Sequence, residues 1–218
     1  MRRLAIVFSA LLLAALDLRA AHTEVKLLLP AAAKTGDTVV VGVQLKMESG
    51  WHTYWKNPGE AGQATEIKWQ LPPGVTAGEI QWPLPKKIPP AEITTYGYED
   101  EVVLLVPLTL AQGVPPGPLD LAAKVSWLEC KESCIPASAE IKGTLNAGSE
   151  TRPSADAAQI RSWQARVPAA AGNFSAKAWW EPATDDKTRN LHLQWPGKAA
   201  GADFFPAADD HFEIQGAT

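Results

Sequence analysis

Hydrophobic and polar residues alternate along much of residues 24–145, which is the pattern of strands with one buried face. In the clearest run, Thr38–Leu45, every second residue is Val or Leu, and the turn-forming pair Gly36-Asp37 precedes it. Runs of this kind predict strands at seven places: 24–29, 38–45, 51–55, 66–71, 101–110, 119–128 and 139–145. Seven short strands at this spacing predict an all-β fold, an immunoglobulin-like antiparallel β-sandwich.

The pattern changes after residue 148. Residues 149–167 are polar and contain Ser, Pro and Ala, so we predict a linker there, with a short helix at 155–166. Strand-like runs in the remaining residues, 168–218, occur at 175–180, 190–195 and 212–214. Three strands are too few to bury a sandwich core. This segment is therefore predicted to be an incomplete second β subdomain.

The first 21 residues have the features of an export signal. Two arginines precede an apolar run, Leu4–Leu16, and the segment ends with Ala20-Ala21. A basic start, about a dozen apolar residues and a small-residue end are typical of a signal peptide. The run is shorter than the ~20 residues that span a bilayer. We expect removal of residues 1–21, a first domain at 22–148 and an oxidising location, the periplasm; an uncleaved anchor is the alternative.

Composition and charge exclude several classes of function. A net charge of −4, from 20 basic and 24 acidic residues, gives no basic surface for nucleic acid. The four histidines are scattered and the two cysteines have no second pair, so we expect no metal and no cofactor. The two cysteines can act only as one pair.

The candidate chemistry lies in Val125–Pro136, which contains both cysteines. Cys130 ends one predicted strand and Cys134 begins the next, so a disulfide across the tight connection is feasible. A five-residue ring contributes only roughly 2 kcal/mol through loop entropy, which weakly favours a redox role over a structural one. The spacing differs from the Cys-x-x-Cys of thioredoxins. Spacing alone leaves a structural hairpin disulfide open.

Three motifs occur in order: Trp51–Gly59 (WHTYWKNPG), Tyr96–Val102 (YGYEDEV) and Trp127–Pro136 (WLECKESCIP). Together they resemble the N-terminal periplasmic region of DsbD-type thiol:disulfide interchange proteins, and most of all its ScsB-like branch. The resemblance spans residues 24–145, and residues 204–206 (FFP) resemble that branch's second N-terminal subdomain. It implies an immunoglobulin-like domain that carries a redox-active disulfide.

The resemblance also implies an activity, a protein-disulfide reductase relay. Electrons would come from a membrane module and a thioredoxin-like domain, which could be encoded downstream in the same protein. They would pass to thioredoxin-like periplasmic proteins, namely disulfide isomerases and cytochrome c maturation factors. By position, Cys134 would form the mixed disulfide with a partner and Cys130 would resolve it.

The surroundings of the disulfide are assigned by the same resemblance. The family's cap loop corresponds to four residues here: Thr95, Tyr96, Gly97 and Tyr98. Thr95 stands where the family has an aromatic residue over the disulfide, so either Tyr96 or Tyr98 shields the sulfurs or the cap is weaker. The spacer between the cysteines is also shorter than in DsbD proper. His52 and Tyr54 match positions near the disulfide; ordinary strand surface is their alternative interpretation.

Two other functions stay open at this stage. The first is a non-catalytic binding or assembly module with a structural disulfide, which would have a reduction potential below about −300 mV. The second is a copper-handling module, suggested only by the link of some ScsB-like proteins to copper tolerance. Binding of Cu(I) by the reduced cysteine pair would distinguish it.

Overall fold

The computed structural model describes residues 21–88, 93–169, 175–182, 189–197 and 203–207. Residues 1–20 of the predicted signal peptide and the predicted strand at 212–214 lie outside the described residues. Within the described ranges, no helix has the length and apolar character needed to cross a membrane.

The described chain consists mainly of strands. They are β1 (Thr23–Leu28), β2 (Ala32–Lys34), β3 (Thr38–Met47), β4 (His52–Gly59), β5 (Glu66–Gln70), β6 (Val75–Ala77), β7 (Lys86–Ile88), β8 (Thr95–Glu99), β9 (Glu101–Leu110), β10 (Gly117–Cys130), β11 (Cys134–Gly148), β12 (Lys177–Trp180) and β13 (Leu191–Gln194). One helix, α1 (Ala157–Gln164), lies between β11 and β12.

Two sheets share one hydrophobic core. One has the strand order β1-β3-β9-β6, and the other has the order β2-β11-β10-β4-β8-β7, with β5 beside β10. The strand pairs are antiparallel except for the short pair β2–β11. The predicted all-β, immunoglobulin-like fold is therefore confirmed.

The core follows the alternation read from the sequence. In β3, the residues at every second position from Val39 to Leu45 are buried. Strand β9 differs, because Val102–Val106 are buried without interruption. Both faces of β9 are covered: one faces the core between the sheets and α1 packs against the other. Gln159 of α1 donates a hydrogen bond to Glu101 on that outer side.

Residues 149–167, predicted as a linker, instead pack against the sandwich. The backbone of Arg152 pairs with that of Ala32, and the Ser154 hydroxyl donates to the Leu29 carbonyl oxygen. Ile160 and Trp163, three residues apart on α1, are buried, and α1 packs against the outer side of β9 and β3. The polar composition of the segment gave no indication that these two residues would be buried. The predicted helix at 155–166 corresponds to α1.

Two further segments differ from their predictions. Asn57-Pro58-Gly59, predicted as a turn, forms the end of β4, and the pairing with β8 is irregular between Tyr54 and Gly59. An irregular pairing tolerates the missing amide hydrogen of proline. Residues 95–98, predicted as a cap loop, belong to strand β8, which pairs with β4 on one side and β7 on the other.

Among the described residues after α1, two strands form a small hairpin and residues 203–207 contact the sandwich. Strands β12 and β13 pair with each other in a two-stranded sheet. Phe205 packs edge-to-face against Trp55 and Tyr96, at ring-centroid distances of 6.3 and 5.6 Å. The Asn57 side chain donates a hydrogen bond to the Pro206 carbonyl oxygen. These contacts hold residues 203–207 against the sandwich.

We expect Trp163→Ala to destabilise the first domain by about 3–5 kcal/mol, because it removes a large buried side chain. Urea unfolding followed by circular dichroism would measure the loss. Trp179→Ala is the matched control, since Trp179 is 47% exposed on the β12–β13 hairpin, and it should change stability by less than about 0.5 kcal/mol. Equal effects of the two substitutions would contradict the packing of α1 against the sandwich.

We propose that the first domain ends after α1, near residue 167, and not at residue 148. Limited proteolysis should then leave a stable fragment that starts near residue 22 and still contains Trp163. Mass spectrometry of the fragment would locate its ends. Early cleavage between residues 149 and 156 would show that this stretch is a linker after all. Equal protection of residues 168–218 would contradict the proposed boundary.

Candidate functional site

The two cysteines lie at the closed end of the longest hairpin. Strands β10 and β11 pair continuously from Gly117 opposite Ala147 to Cys130 opposite Cys134. The two sulfurs form a disulfide across this last pair. The unbroken ladder fixes the position of both cysteine backbones.

The two sulfur-bearing residues differ in exposure. Cys130 is 3% exposed, because β11 flanks it on one side and His52 of β4 pairs with it on the other. Cys134 is exposed, because it follows the hairpin turn at the outer end of β11. A partner protein can therefore reach the sulfur of Cys134 more easily than that of Cys130.

Tyr54 is the aromatic residue that contacts the sulfurs. Its hydroxyl donates a hydrogen bond to Cys130 Sγ at 2.9 Å and lies 3.4 Å from Cys134 Sγ. Burial raises the pKa of the Tyr54 hydroxyl above its ordinary value. Tyr54 therefore stays protonated at neutral pH and can act as a hydrogen-bond donor to sulfur.

One glycine makes room for the Tyr54 ring, and another lets its strand approach β8. Gly62, with φ +113°, lies against the aromatic ring, so that any side chain there would overlap the ring. Gly97 of β8 pairs with Tyr54, and a Cβ at this position would overlap the Thr53 carbonyl oxygen. A side chain at Gly97 would therefore disturb the close pairing of β4 with β8 that positions Tyr54.

His52 completes this face of the sheet. Its imidazole packs edge-to-face against the Tyr54 ring, at a centroid distance of 5.4 Å, and its backbone pairs with Cys130 and with Glu99. Burial lowers the pKa of His52, and the negative charge of Glu99 opposes that shift only in part. The histidine is therefore neutral at pH 7.

The residues predicted to form the cap, Thr95–Tyr98, do not place a tyrosine at the sulfurs. Tyr96 and Tyr98 alternate with Gly97 and face the core, on the opposite side of the sheet from Tyr54. The Tyr98 hydroxyl donates to the Pro83 carbonyl oxygen at 2.7 Å, and Tyr96 packs against Trp55. Thr95 is buried opposite Ile88. The expectation that Tyr96 or Tyr98 shields the sulfurs is thus corrected, and Tyr54 takes that place.

A buried carboxylate lies one residue before Cys130. Glu129 is fully buried on the core side of β10, where its carboxylate accepts hydrogen bonds from the Trp127 indole at 3.0 Å and the His22 backbone at 2.8 Å. Trp127 lies only two residues before Glu129 on β10, but His22 is distant in sequence, so the pair of donors could not be predicted from the local pattern. Gly62 was missed because its contact with the Tyr54 ring depends on the fold.

The described residues contain no group of three or more His, Cys, Asp or Glu side chains that could hold a metal ion. The Tyr54 hydroxyl contacts both sulfurs, and the neutral His52 packs against the Tyr54 ring. A buried sulfur, an exposed sulfur and one hydroxyl donor form an arrangement suited to thiol–disulfide exchange.

The family described as "Thiol:disulfide interchange protein DsbD, N-terminal" matches residues 24–146, more than half of the chain. The chain belongs to this family. The matched region contains the β10–β11 hairpin as far as Asn146, both cysteines and Tyr54. The DsbD N-terminal domain described here is therefore a thiol–disulfide interchange domain with a Cys130–Cys134 disulfide.

Solved structures similar to the chain were found as well. The N-terminal periplasmic domain of ScsB from Proteus mirabilis is 20% identical, with a TM-score of 0.45 and coverage of 85% of this chain and 90% of that one. AvmM, described as catalysing macrocyclization in alchivemycin A biosynthesis, is 14% identical, with a TM-score of 0.30 and coverage of 62% and 92%. No curated protein sequence matches the chain significantly.

Replacing Tyr54 with Phe should slow reduction of the disulfide by dithiothreitol about tenfold or more. The hydroxyl donates to Cys130 Sγ, and a hydrogen bond to a sulfur that gains negative charge is worth about 1.5–3 kcal/mol. Stopped-flow fluorescence or thiol trapping would measure the rate. Tyr98→Phe is the matched control, because it removes a buried tyrosine hydroxyl that faces away from the sulfurs. A Tyr54→Phe rate equal to that of the control would show that the contact has no role in exchange.

Proposed function

We propose that this domain relays electrons to other proteins through the Cys130–Cys134 pair, and so acts as a protein-disulfide reductase. The observation that carries the proposal is the asymmetry of the pair: Cys134 is exposed, whereas Cys130 is buried and accepts a hydrogen bond from Tyr54. A purely structural disulfide needs neither an accessible sulfur nor a donor to the buried one.

The proposed exchange starts from the reduced domain. The Cys134 thiolate attacks one sulfur of a partner disulfide, and the other partner sulfur leaves as a thiolate and takes up a proton. Cys130, as a thiolate, then attacks the Cys134 sulfur and releases the second partner thiolate. Two electrons have passed to the partner, and the domain carries the Cys130–Cys134 disulfide present in the structure.

Reduction of the domain by an electron donor follows the same steps in reverse. One thiolate of a reduced dithiol donor attacks the exposed Cys134 sulfur, and Cys130 leaves as a thiolate. The second thiolate of the donor then attacks the donor sulfur bound to Cys134, which releases Cys134 as a thiolate and leaves the donor as a disulfide. The Tyr54 hydroxyl already donates to Cys130 Sγ, so the leaving sulfur has a proton donor at hand as its charge develops. A better stabilised leaving thiolate departs faster. This assigns the accessible role to Cys134 and the leaving and resolving role to Cys130.

We propose a periplasmic location and thioredoxin-like partners for this relay. Family membership and the predicted signal peptide at residues 1–21 support export. Partners with exposed disulfides, such as disulfide isomerases and cytochrome c maturation factors, suit a domain whose reactive sulfur lies at a hairpin end. A membrane module with a thioredoxin-like domain would supply the electrons.

Trapping experiments would test the assignment of roles. Cys130→Ser should accumulate mixed disulfides with oxidised periplasmic proteins, because Cys134 can attack but nothing can resolve the adduct. Cys134→Ser should accumulate few, because Cys130 is 3% exposed beneath Tyr54. Non-reducing electrophoresis of both variants would compare them, with the double serine variant as the blank.

The outcomes distinguish the alternatives. If only Cys134→Ser traps partners, the two roles are reversed. If neither variant does, and the disulfide is still intact at about −300 mV in a thiol redox series, the bond is structural and the domain is a binding or assembly module.

A further inference from the structure

Glu129 is a fully buried carboxylate that has no charged partner among the described residues. Its two hydrogen-bond donors, the Trp127 indole and the His22 backbone nitrogen, are both neutral. None of the ion pairs in the described part of the chain includes it. Burying an ionised carboxylate without a cation is costly, so a positive charge at this site would stabilise the fold.

The His22 nitrogen is the atom at which such a charge would arise. It lies 2.8 Å from Glu129 Oε1, and His22 is the first residue after the predicted signal peptide. Cleavage after Ala21 would convert this amide nitrogen into an α-ammonium group. The hydrogen bond would then become a charge-assisted one.

We propose that removal of the leader after Ala21 creates an ion pair between the His22 α-ammonium, which is partly exposed, and the buried Glu129 carboxylate. The pair fastens the start of β1 to the end of β10, one residue before Cys130. Cleavage of the leader during export would thus supply the positive charge that the buried Glu129 carboxylate lacks in the uncleaved chain. The inference rests on the export proposed above but not on the relay function.

The neighbouring contacts hold His22 in place for this pair. Its ring stacks on Trp51 at a centroid distance of 3.8 Å, and its Nδ1 lies 2.9 Å from Glu48. The Glu48 amide donates to the His22 carbonyl oxygen at 2.8 Å. Three separate contacts therefore fix the residue whose nitrogen faces Glu129.

The other charged groups nearby have different positions. The His22 ring pairs with Glu48 at the surface, and Glu24 and Lys46 line the same shallow depression beside β1 and β3. Lys131 on the hairpin turn reaches the Ser49 carbonyl oxygen at 3.4 Å. None of these groups replaces the α-ammonium at Glu129.

The first measurement is the mass of the mature protein after expression of the full chain with export. Cleavage after Ala21, with His22 as the first residue, is expected. Cleavage at another position in an exported protein would overturn the inference and leave export standing. An intact leader on protein retained in the cell would overturn both.

The second measurement compares two purified forms, one starting at His22 and one retaining Ala20-Ala21 ahead of it. At pH 6.5 the form starting at His22 should melt at least about 3 °C higher. An α-amine has an unfolded pKa of about 7.7–8.0, and the ion pair raises the folded value. The advantage should therefore be complete below about pH 7.7 and disappear as the pH rises through the folded pKa.

Glu129→Gln in both forms is the matched control. Glutamine keeps an acceptor for the Trp127 and His22 donors but removes the negative charge. In this background the two forms should melt together at every pH. Equal melting of the two forms that keep Glu129 would overturn the ion pair. A difference that survives Glu129→Gln would overturn it as well, because the advantage would then come from something other than the charge.

Discussion

The ladder between β10 and β11 is the constraint on which both the core and the site depend. It pairs Gly117 with Ala147 at one end and Cys130 with Cys134 at the other. Along β10, every second residue from Leu119 to Trp127 is buried in the core. A slip of one residue would turn this whole set to the other face. The register that buries the core therefore also places the sulfurs opposite each other.

Much of this arrangement could be predicted from the sequence, because alternation is a local signal. The bounds of β9 coincide with the predicted strand at 101–110, and the predicted strand at 119–128 lies within β10. Helix α1 was predicted, but its packing against the sandwich was not. Ile160 and Trp163 are its buried residues, and they lie in an otherwise polar stretch. The polar composition therefore predicted a linker, although burial of two large side chains is enough to hold a short helix against a sheet.

The sequence indicated candidate residues for the site but not their contacts. Motif order and the family resemblance selected Cys130, Cys134, His52 and Tyr54, together with Thr95–Tyr98. The sequence could not show which tyrosine contacts the sulfurs. The choice between Tyr54 and the tyrosines of β8 depends on which face of each strand lies toward the disulfide. Pairing of Tyr54 with Gly97 decides it, and that register is a long-range property.

A thiol–disulfide interchange domain has to keep its fold when its own disulfide is reduced, and the structure shows how this one can do so. The bond closes a five-residue ring, so its loss releases only roughly 2 kcal/mol of loop entropy. The core that holds the sheets together includes residues such as Val41, Leu45 and Leu104, which are far from the cysteines in sequence. The ladder, not the disulfide, keeps Cys130 and Cys134 side by side. Reduction can therefore open the bond while the backbone that presents both sulfurs stays in place.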